Sequence, residues 1–310
     1  MCLRWSRIVR NVPRYWSFLV LRDKFSAQKV KEALRMAKGY FETIKLYNLF
    51  ANDLIRLGRI FRQTSPAVQT LYYETTESSS IIALASLGLK PESLIVQNED
   101  LRGPPVTADL RPIFSPTLRT LSLHRSTSLL HNFEDYVPLL DHLTSLTITG
   151  FRFIGVGLFR HITRVEEIIL DFKEQLVHQS EPHITDIHIP LPSLRVFKLR
   201  HVPFPTEMSL PALSIHAPML HTLHLDSTDA ALWLLAFSGS GAPAAIVDFR
   251  VDRPNGPAIG LSHLQPFFCD TIESFALTSV SHELGPLLSD IHAGLILPRL
   301  KHLEFTFHDD

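Results

Sequence analysis

An apolar triplet recurs along this chain at a nearly constant interval, and it constrains the fold more than any other feature. Each copy has apolar residues at its first, fourth and sixth positions, as in Leu118-x-x-Leu121-x-Leu123. Ten steps lead from the middle residue of the first copy to that of the last, and they span 259 residues, about 26 per step. The middle residues are Ile44, Leu71, Leu94, Leu121, Leu146, Ile168, Phe197, Leu223, Phe249, Phe275 and Leu303. An interval of about 20–29 residues is typical of an array of repeated units.

The triplet predicts a short strand in each copy. Its last two apolar residues are two apart, so a strand directs both to one face. One short strand cannot bury that face alone, but a stack of parallel strands can. Prolines mark the approach to five copies, since proline ends a helical segment and favours extended backbone before it. These prolines are Pro66, Pro116, Pro192, Pro218 and Pro298.

The interval and the L-x-x-L-x-L pattern are those of leucine-rich repeats. We therefore predict an α/β solenoid, or horseshoe, of about eleven divergent repeats over residues 40–310. Its parallel sheet would line the concave face, with helices or irregular segments outside. Residues 22–39 are predicted to form a connecting helix. The alternative is an ordinary α/β domain in which strands and helices alternate.

Composition excludes several classes of function. The 310 residues carry a formal net charge of −1, so no overall bias favours nucleic acid or an anionic membrane. No apolar run reaches the roughly 18 residues that a spanning helix needs. The two cysteines, Cys2 and Cys269, lie far apart, and we interpret them as free thiols of a reducing compartment, the cytoplasm or the nucleus.

The first 22 residues are rich in arginine and have no acidic residue before Asp23. Arg4, Arg7, Arg10 and Arg14 would lie along one side of a helix. An arginine-rich, acid-poor start of this kind is also typical of a mitochondrial presequence, which remains an alternative. A secretory signal is not favoured, because the apolar stretch 18–21 is short and lacks a small-residue cleavage site.

Residues 2–17 resemble the C-terminal half of an F-box as it occurs in fungal proteins. The matching positions are Cys2, Arg4, Trp5, Ile8, Val9, Pro13, Tyr15 and Trp16. Leucine-rich repeats usually follow this domain, so the whole chain resembles the F-box/leucine-rich-repeat proteins of mushroom-forming fungi. The family's opening Leu-Pro-x-Glu-x-Leu helix has no counterpart here. Residues 1–21 are therefore predicted to be a truncated F-box-like helical segment.

The resemblance implies a function without chemistry of its own. In the family the F-box docks on the Skp adaptor of a cullin-RING ubiquitin ligase, and the repeats select the target protein. The chain is therefore expected to be a substrate receptor, monomeric outside its complex. Its adaptor-binding remnant would be Trp5, Ile8, Pro13 and Trp16. The alternative is a repeat scaffold whose decayed F-box only caps the first repeat.

Target recognition is expected on the concave face, where strand residues flank the buried pair. The most charged part of that face is predicted to bind a protein of complementary charge. Its residues are Lys198, Arg200, His224, Asp226, Arg250 and Asp252. The alternative is that these opposite charges only pair with one another.

Catalytic and metal-binding motifs are not found in the sequence. It contains no H-E-x-x-H, no G-x-S-x-G and no phosphate-binding P-loop. His183 and His188 have too few neighbouring ligands for a metal site. We therefore expect no enzyme activity, no cofactor and no metal, and a protein as the partner instead of nucleic acid or membrane.

Overall fold

The computed structural model describes about three fifths of the chain, as separate stretches. The described residues are 12, 16–98, 113–125, 140–150, 159, 161–171, 187–201, 213–226, 233–234, 236–237, 246–252, 271–279, 289, 291–293 and 297–307. The chain divides into two compact units, Met1–Leu143 and Thr144–Asp310.

The first unit alternates strands with helices over much of its described length. Its strands are β1 (Phe18–Arg22), β2 (Tyr40–Tyr47), β3 (Ala67–Thr75), β4 (Ser93–Asn98) and β5 (Thr120–His124). Its helices are α1 (Ala27–Met36), α2 (Ala51–Thr64) and the short α3 (Ser78–Ile81), which a 3₁₀ turn continues through Ile82–Leu87. Helix α1 lies inside the stretch 22–39.

All five strands of the first unit are parallel and neighbour one another in chain order. Ile44, Leu71, Leu94 and Leu121, the middle residues of four predicted copies, lie side by side in this register. All four are fully buried. The prediction of an α/β chain with parallel strands at these positions is therefore confirmed.

Strand β1 differs from the helical segment predicted for residues 1–21. Phe18–Arg22 pairs with β2, and Leu19 lies beside Ile44. Its side chains alternate between exposed and buried, the period of a half-buried strand. Pairing along the edge of β2 satisfies backbone groups of this stretch, a tertiary contribution that the arginine spacing could not reveal. The rest of the predicted segment, apart from residues 12, 16 and 17, lies outside the described residues.

Helix α2 packs closely against the turn that follows α3. Leu54, Leu57 and Phe61 form its buried stripe. Gly58 lies on the same side, and an added Cβ there would stand 2.1 Å from the carbonyl oxygen of Ser86. The Arg62 side chain donates to that same carbonyl at 3.2 Å. The close approach of two backbones therefore depends on the missing side chain of Gly58.

The second unit has a seven-stranded parallel sheet and a separate pair of strands among its described residues. The sheet strands are β6 (Ser145–Thr149), β7 (Glu167–Asp171), β9 (Val196–Arg200), β11 (Thr222–Asp226), β12 (Asp248–Asp252), β13 (Ser274–Ser279) and β14 (His302–Phe307). The pair consists of β8 (Ile187–Pro190) and β10 (Leu213–His216), also parallel.

The register of this sheet also aligns the predicted middle positions. The residues in the row are Leu146, Ile168, Phe197, Leu223, Phe249, Phe275 and Leu303. All but Leu303 are buried. Phe275 lies at the centre of an aromatic group, with ring centroids 5.7 Å from Phe249 and 6.4 Å from Phe305. The row is therefore the core side of the sheet.

One type of turn leads into many of the strands. In the second unit, Leu194 N–H donates to Leu191 at 3.1 Å, and Leu220 N–H donates to Ala217 at the same distance. Pro192 and Pro218 occupy the second position of these turns, where the fixed φ of proline fits. The corresponding prolines of the chain, Pro116 and Pro298, have equivalent turns around them. The prolines therefore act as turn residues before strands.

Candidate functional site

The six charged residues singled out in the sequence lie together on the second unit's sheet. Strand β11 lies between β9 and β12, and the register places the six side chains in two rows across these strands. The first row is Lys198, His224 and Arg250, and the second is Arg200, Asp226 and Asp252. The buried residues alternate with them, so both rows lie on the face opposite the core.

Part of this charge is neutralised within the sheet. Arg250 Nε donates to Asp252 Oδ2 at 2.7 Å, and this hydrogen bond raises the pKa of Arg250. His224 Nε2 lies 2.9 Å from Asp248 Oδ2 on the neighbouring strand. Such half-exposed pairs contribute little to stability. Arg250 and His224 are thus held by partners of their own, as the alternative interpretation of the charges expected.

His201 is a member of the site that sequence reasoning missed. It follows β9 with a left-handed φ of 56°, and its N–H donates to the Asp226 carbonyl at 2.5 Å. Its ring spans two carboxylates, with Nδ1 3.4 Å from Asp171 and Nε2 3.7 Å from Asp226. The sequence signal that could have found His201 is its position directly after a strand. Asp23, Asn48 and Arg125 also follow a strand directly and take a left-handed φ there.

Lys198 and Arg200 differ from the other cations of the two rows. Among the ion pairs formed by the described residues, neither side chain has a partner. Arg200 is exposed and Lys198 is half-exposed. They are two residues apart on one strand, so they present two positive charges on the same face. Among the described residues, these two cations are thus not held in a close ion pair, although Arg200 lies beside Asp171 and Asp226 in the register and its charge acts on the Asp226 carboxyl.

Asp226 provides a pH test of this surface. Burial is the main cause that raises the pKa of its carboxyl, and His201 partly opposes it. Because the pKa of Asp226 is higher in the folded chain than in the unfolded chain, ionising this carboxyl destabilises the fold. The stability of the folded chain with Asp226 protonated is fully present below the unfolded pKa of about 3.9 and is lost as pH rises through the folded pKa. Asp226→Asn should therefore unfold at a higher urea concentration than the unchanged chain at pH 7. The difference should vanish below about pH 4.

The matched control is Asp23→Asn, which removes an exposed carboxylate at a strand end in the first unit. Its urea midpoint should stay close to that of the unchanged chain at both pH values. A lower midpoint for Asp226→Asn at pH 7 would show that the ionised carboxylate is net stabilising, contrary to this expectation.

Three of the four predicted adaptor-binding residues, Trp5, Ile8 and Pro13, lie outside the described residues. Trp16 is half-buried. The next residue, Ser17, is buried, and its carbonyl accepts a hydrogen bond from the N–H of Thr43 at 3.1 Å. Trp16 and Ser17 therefore lead directly into the first strand of the sheet.

Within the described stretches, no three His, Cys, Asp or Glu side chains are grouped so that they could hold a metal ion. His183 lies outside those stretches, whereas His188 is on β8, its ring stacked at 6.4 Å from that of His216. No described helix is both long enough and apolar enough to cross a membrane.

Fold and site together define a class: an α/β protein with parallel strands in chain order and a polar, partly unneutralised sheet face. Comparison with known proteins does not narrow this class, because no family model, no curated protein and no solved structure matches the sequence.

Proposed function

We propose that the chain is a leucine-rich-repeat solenoid that binds a target protein and itself neither makes nor breaks a covalent bond. The observation that carries the proposal is the pair Lys198 and Arg200, two cations on the outward face of β9 without an ion-pair partner among the described residues. The aligned rows around them give a mostly polar surface, with Ile169 as the apolar neighbour of Lys198. Repeat arrays typically recognise partners over extended surfaces of this kind.

We further propose that the protein is a substrate receptor of a Skp-cullin-F-box ubiquitin ligase in the cytoplasm or nucleus. The F-box-like residues Trp5, Ile8, Pro13 and Trp16 would hold the adaptor. Trp16 precedes β1 by only two residues, which supports a short connection between adaptor and repeats. Such a receptor acts by proximity, because it raises the effective concentration of target lysines near the conjugating enzyme.

Binding to a purified Skp adaptor tests the ligase assignment. The unchanged chain should retain the adaptor in a pull-down, and Trp5→Ala should lose most of it. Phe50→Ala is the matched control, since Phe50 is a large apolar residue, 59% exposed, outside the F-box-like segment. Circular dichroism would establish that the variants stay folded. No adaptor retained by the unchanged chain would favour the alternative, a repeat scaffold that binds proteins but no ligase.

Charge reversal on β9 tests target recognition. Lys198→Glu/Arg200→Glu should lower the retention of specific proteins from a fungal cell extract by at least about tenfold, because two attractive charges become repulsive. Arg195→Glu/Arg299→Glu is the control, with the same change in net charge at exposed positions before strands. Quantitative mass spectrometry of the retained proteins is the measurement. Equal retention by both double variants would contradict a role for Lys198 and Arg200.

A further inference from the structure

A second surface of distinct chemistry lies on the sheet of the first unit. It combines exposed apolar side chains of β1 with cations and tyrosines of β1–β3, and we call it the cation–tyrosine patch. Its residues are Phe18, Val20, Arg22, Lys45, Tyr47 and Tyr72. They alternate with the buried residues of their strands, so they share the face opposite the core.

Two cations of the patch are held against aromatic rings. The guanidinium carbon of Arg22 lies 4.7 Å from the centroid of the Tyr47 ring, and Lys45 Nζ lies 5.9 Å from that of Tyr72. The two tyrosine rings are themselves in contact, with centroids 5.5 Å apart. Stacking on a ring orients a guanidinium while its N–H edges stay open to a carboxylate.

Apolar surface lies directly beside these cations. Phe18 is 57% exposed and Val20 is 52% exposed, and Val20 is the lateral neighbour of Lys45. Phe18 and Val20 are two residues apart on one strand, so they form one apolar surface on the same face. The patch thus offers charge and apolar area side by side, the two contacts that an acidic, partly apolar segment needs.

We propose that the cation–tyrosine patch binds an extended acidic peptide segment of a partner protein, with two carboxylates near a large apolar side chain. From ordinary strand geometry, the Cα atoms of Arg22 and Lys45 are about 8 Å apart, since they differ by one strand and two residues. Carboxylates two residues apart on an extended peptide are about 7 Å apart, which matches that separation. The apolar residue would cover Phe18 and Val20.

A single-stranded nucleic acid fits the patch less well, although it too could use cations and aromatic rings. Base stacking needs an open ring face. Here Arg22 lies over Tyr47, and Lys45 over Tyr72. The carboxylate of Glu74 accepts a hydrogen bond from the Tyr72 hydroxyl and would repel a phosphate and a peptide carboxylate alike, so it does not favour either ligand. A peptide carboxylate needs no open ring face, because it binds only the N–H groups of the two cations.

This inference rests on the protein-binding part of the proposed function, but it concerns a different surface. Loss of adaptor binding, or unchanged protein retention by Lys198→Glu/Arg200→Glu, would not contradict peptide binding at the patch. A failure of peptide binding at the patch would likewise not contradict target binding by Lys198 and Arg200, or adaptor binding. The outcomes of the experiments are therefore distinguishable.

Peptide selection on the purified full chain tests the proposal. A random twelve-residue phage library is panned in parallel on the unchanged chain, on Arg22→Glu/Lys45→Glu and on the control Lys31→Glu/Arg59→Glu. The control carries the same charge change on exposed helix positions. The unchanged chain and the control should enrich peptides with two carboxylates two residues apart and an aromatic or aliphatic neighbour. Arg22→Glu/Lys45→Glu should reduce that enrichment at least tenfold.

Fluorescence anisotropy with the best enriched peptide supplies the second readout, together with a labelled ten-nucleotide oligo(dT). The peptide should bind the unchanged chain at least tenfold more tightly than Arg22→Glu/Lys45→Glu. Peptide pools that do not differ between the chain and this variant, or no enrichment at all, would overturn the proposal. Tighter binding of oligo(dT) than of the peptide would overturn it in favour of nucleic acid.

Discussion

Gly58→Ala should destabilise the first unit by about 2 kcal/mol, even though alanine is the better helix former. The added Cβ would stand 2.1 Å from the Ser86 carbonyl oxygen and 2.7 Å from its carbon. Both are backbone atoms, so no side-chain rotation relieves the overlap. Overpacking typically costs about 1–3 kcal/mol, and more where nothing can yield. The helix preference for Ala over Gly offsets about 1 kcal/mol of this.

Urea unfolding followed by circular dichroism would measure the change. The matched control is Arg59→Ala on the exposed side of the same helix, which should stay within about 0.5 kcal/mol of the unchanged chain. The difference in the free energy of unfolding between these two adjacent alanine variants isolates the effect of the contact with Ser86. If Gly58→Ala matched Arg59→Ala or stabilised the protein, the close approach of α2 to residues 82–87 would be wrong.

Phe275→Ala should produce the larger loss, about 3–5 kcal/mol in the second unit. The ring is buried to 1% exposure and lies between those of Phe249 and Phe305, so its removal leaves a cavity bounded by rigid aromatic neighbours. The parallel strands on either side limit how far the sheet can collapse into the space. Differential scanning calorimetry and urea titration would both report the loss.

Phe275→Leu is the control, because it retains most of the volume and should cost less than about 1.5 kcal/mol. A half-exposed position on the other face of the same sheet should tolerate truncation better: Thr222→Ala on β11 should change stability by less than about 0.5 kcal/mol. An effect of Phe275→Ala no larger than that of Thr222→Ala would mean that β13 does not contribute to the core as described.

The sequence was informative wherever the apolar pattern was regular. Position by position, Leu71, Leu94 and Leu223 lie on the strands that the triplet predicted, and each is buried. The pattern worked because burial of every second residue is a local property of a strand. It missed β1 although Trp16-x-x-Leu19-x-Leu21 has apolar residues at the same three positions, about 25 residues before the copy centred on Ile44, because the arginines upstream suggested a helix.

The candidate site was predictable as a set of residues but not as a set of contacts. The periodic pattern placed Lys198, Arg250 and Asp252 on one face. Which of these charges are neutralised depends on side-chain geometry within and between strands: Arg250 reaches Asp252 on its own strand, and His224 reaches Asp248 on the next. The apolar triplet did not include His201, which lies just beyond the strand in a left-handed conformation, so only its position after a strand end could have pointed to it.

The amino-acid sequence by itself determined the period, the strands and the buried rows, because side-chain hydrophobicity acts residue by residue along the chain. Tertiary structure decided the rest. Residues about 25 apart become neighbours only through strand register, and that register brings Arg22 beside Tyr47 and leaves Lys198 without an ion-pair partner among the described residues. The same long-range packing gives Gly58 its role, since the carbonyl it faces belongs to Ser86.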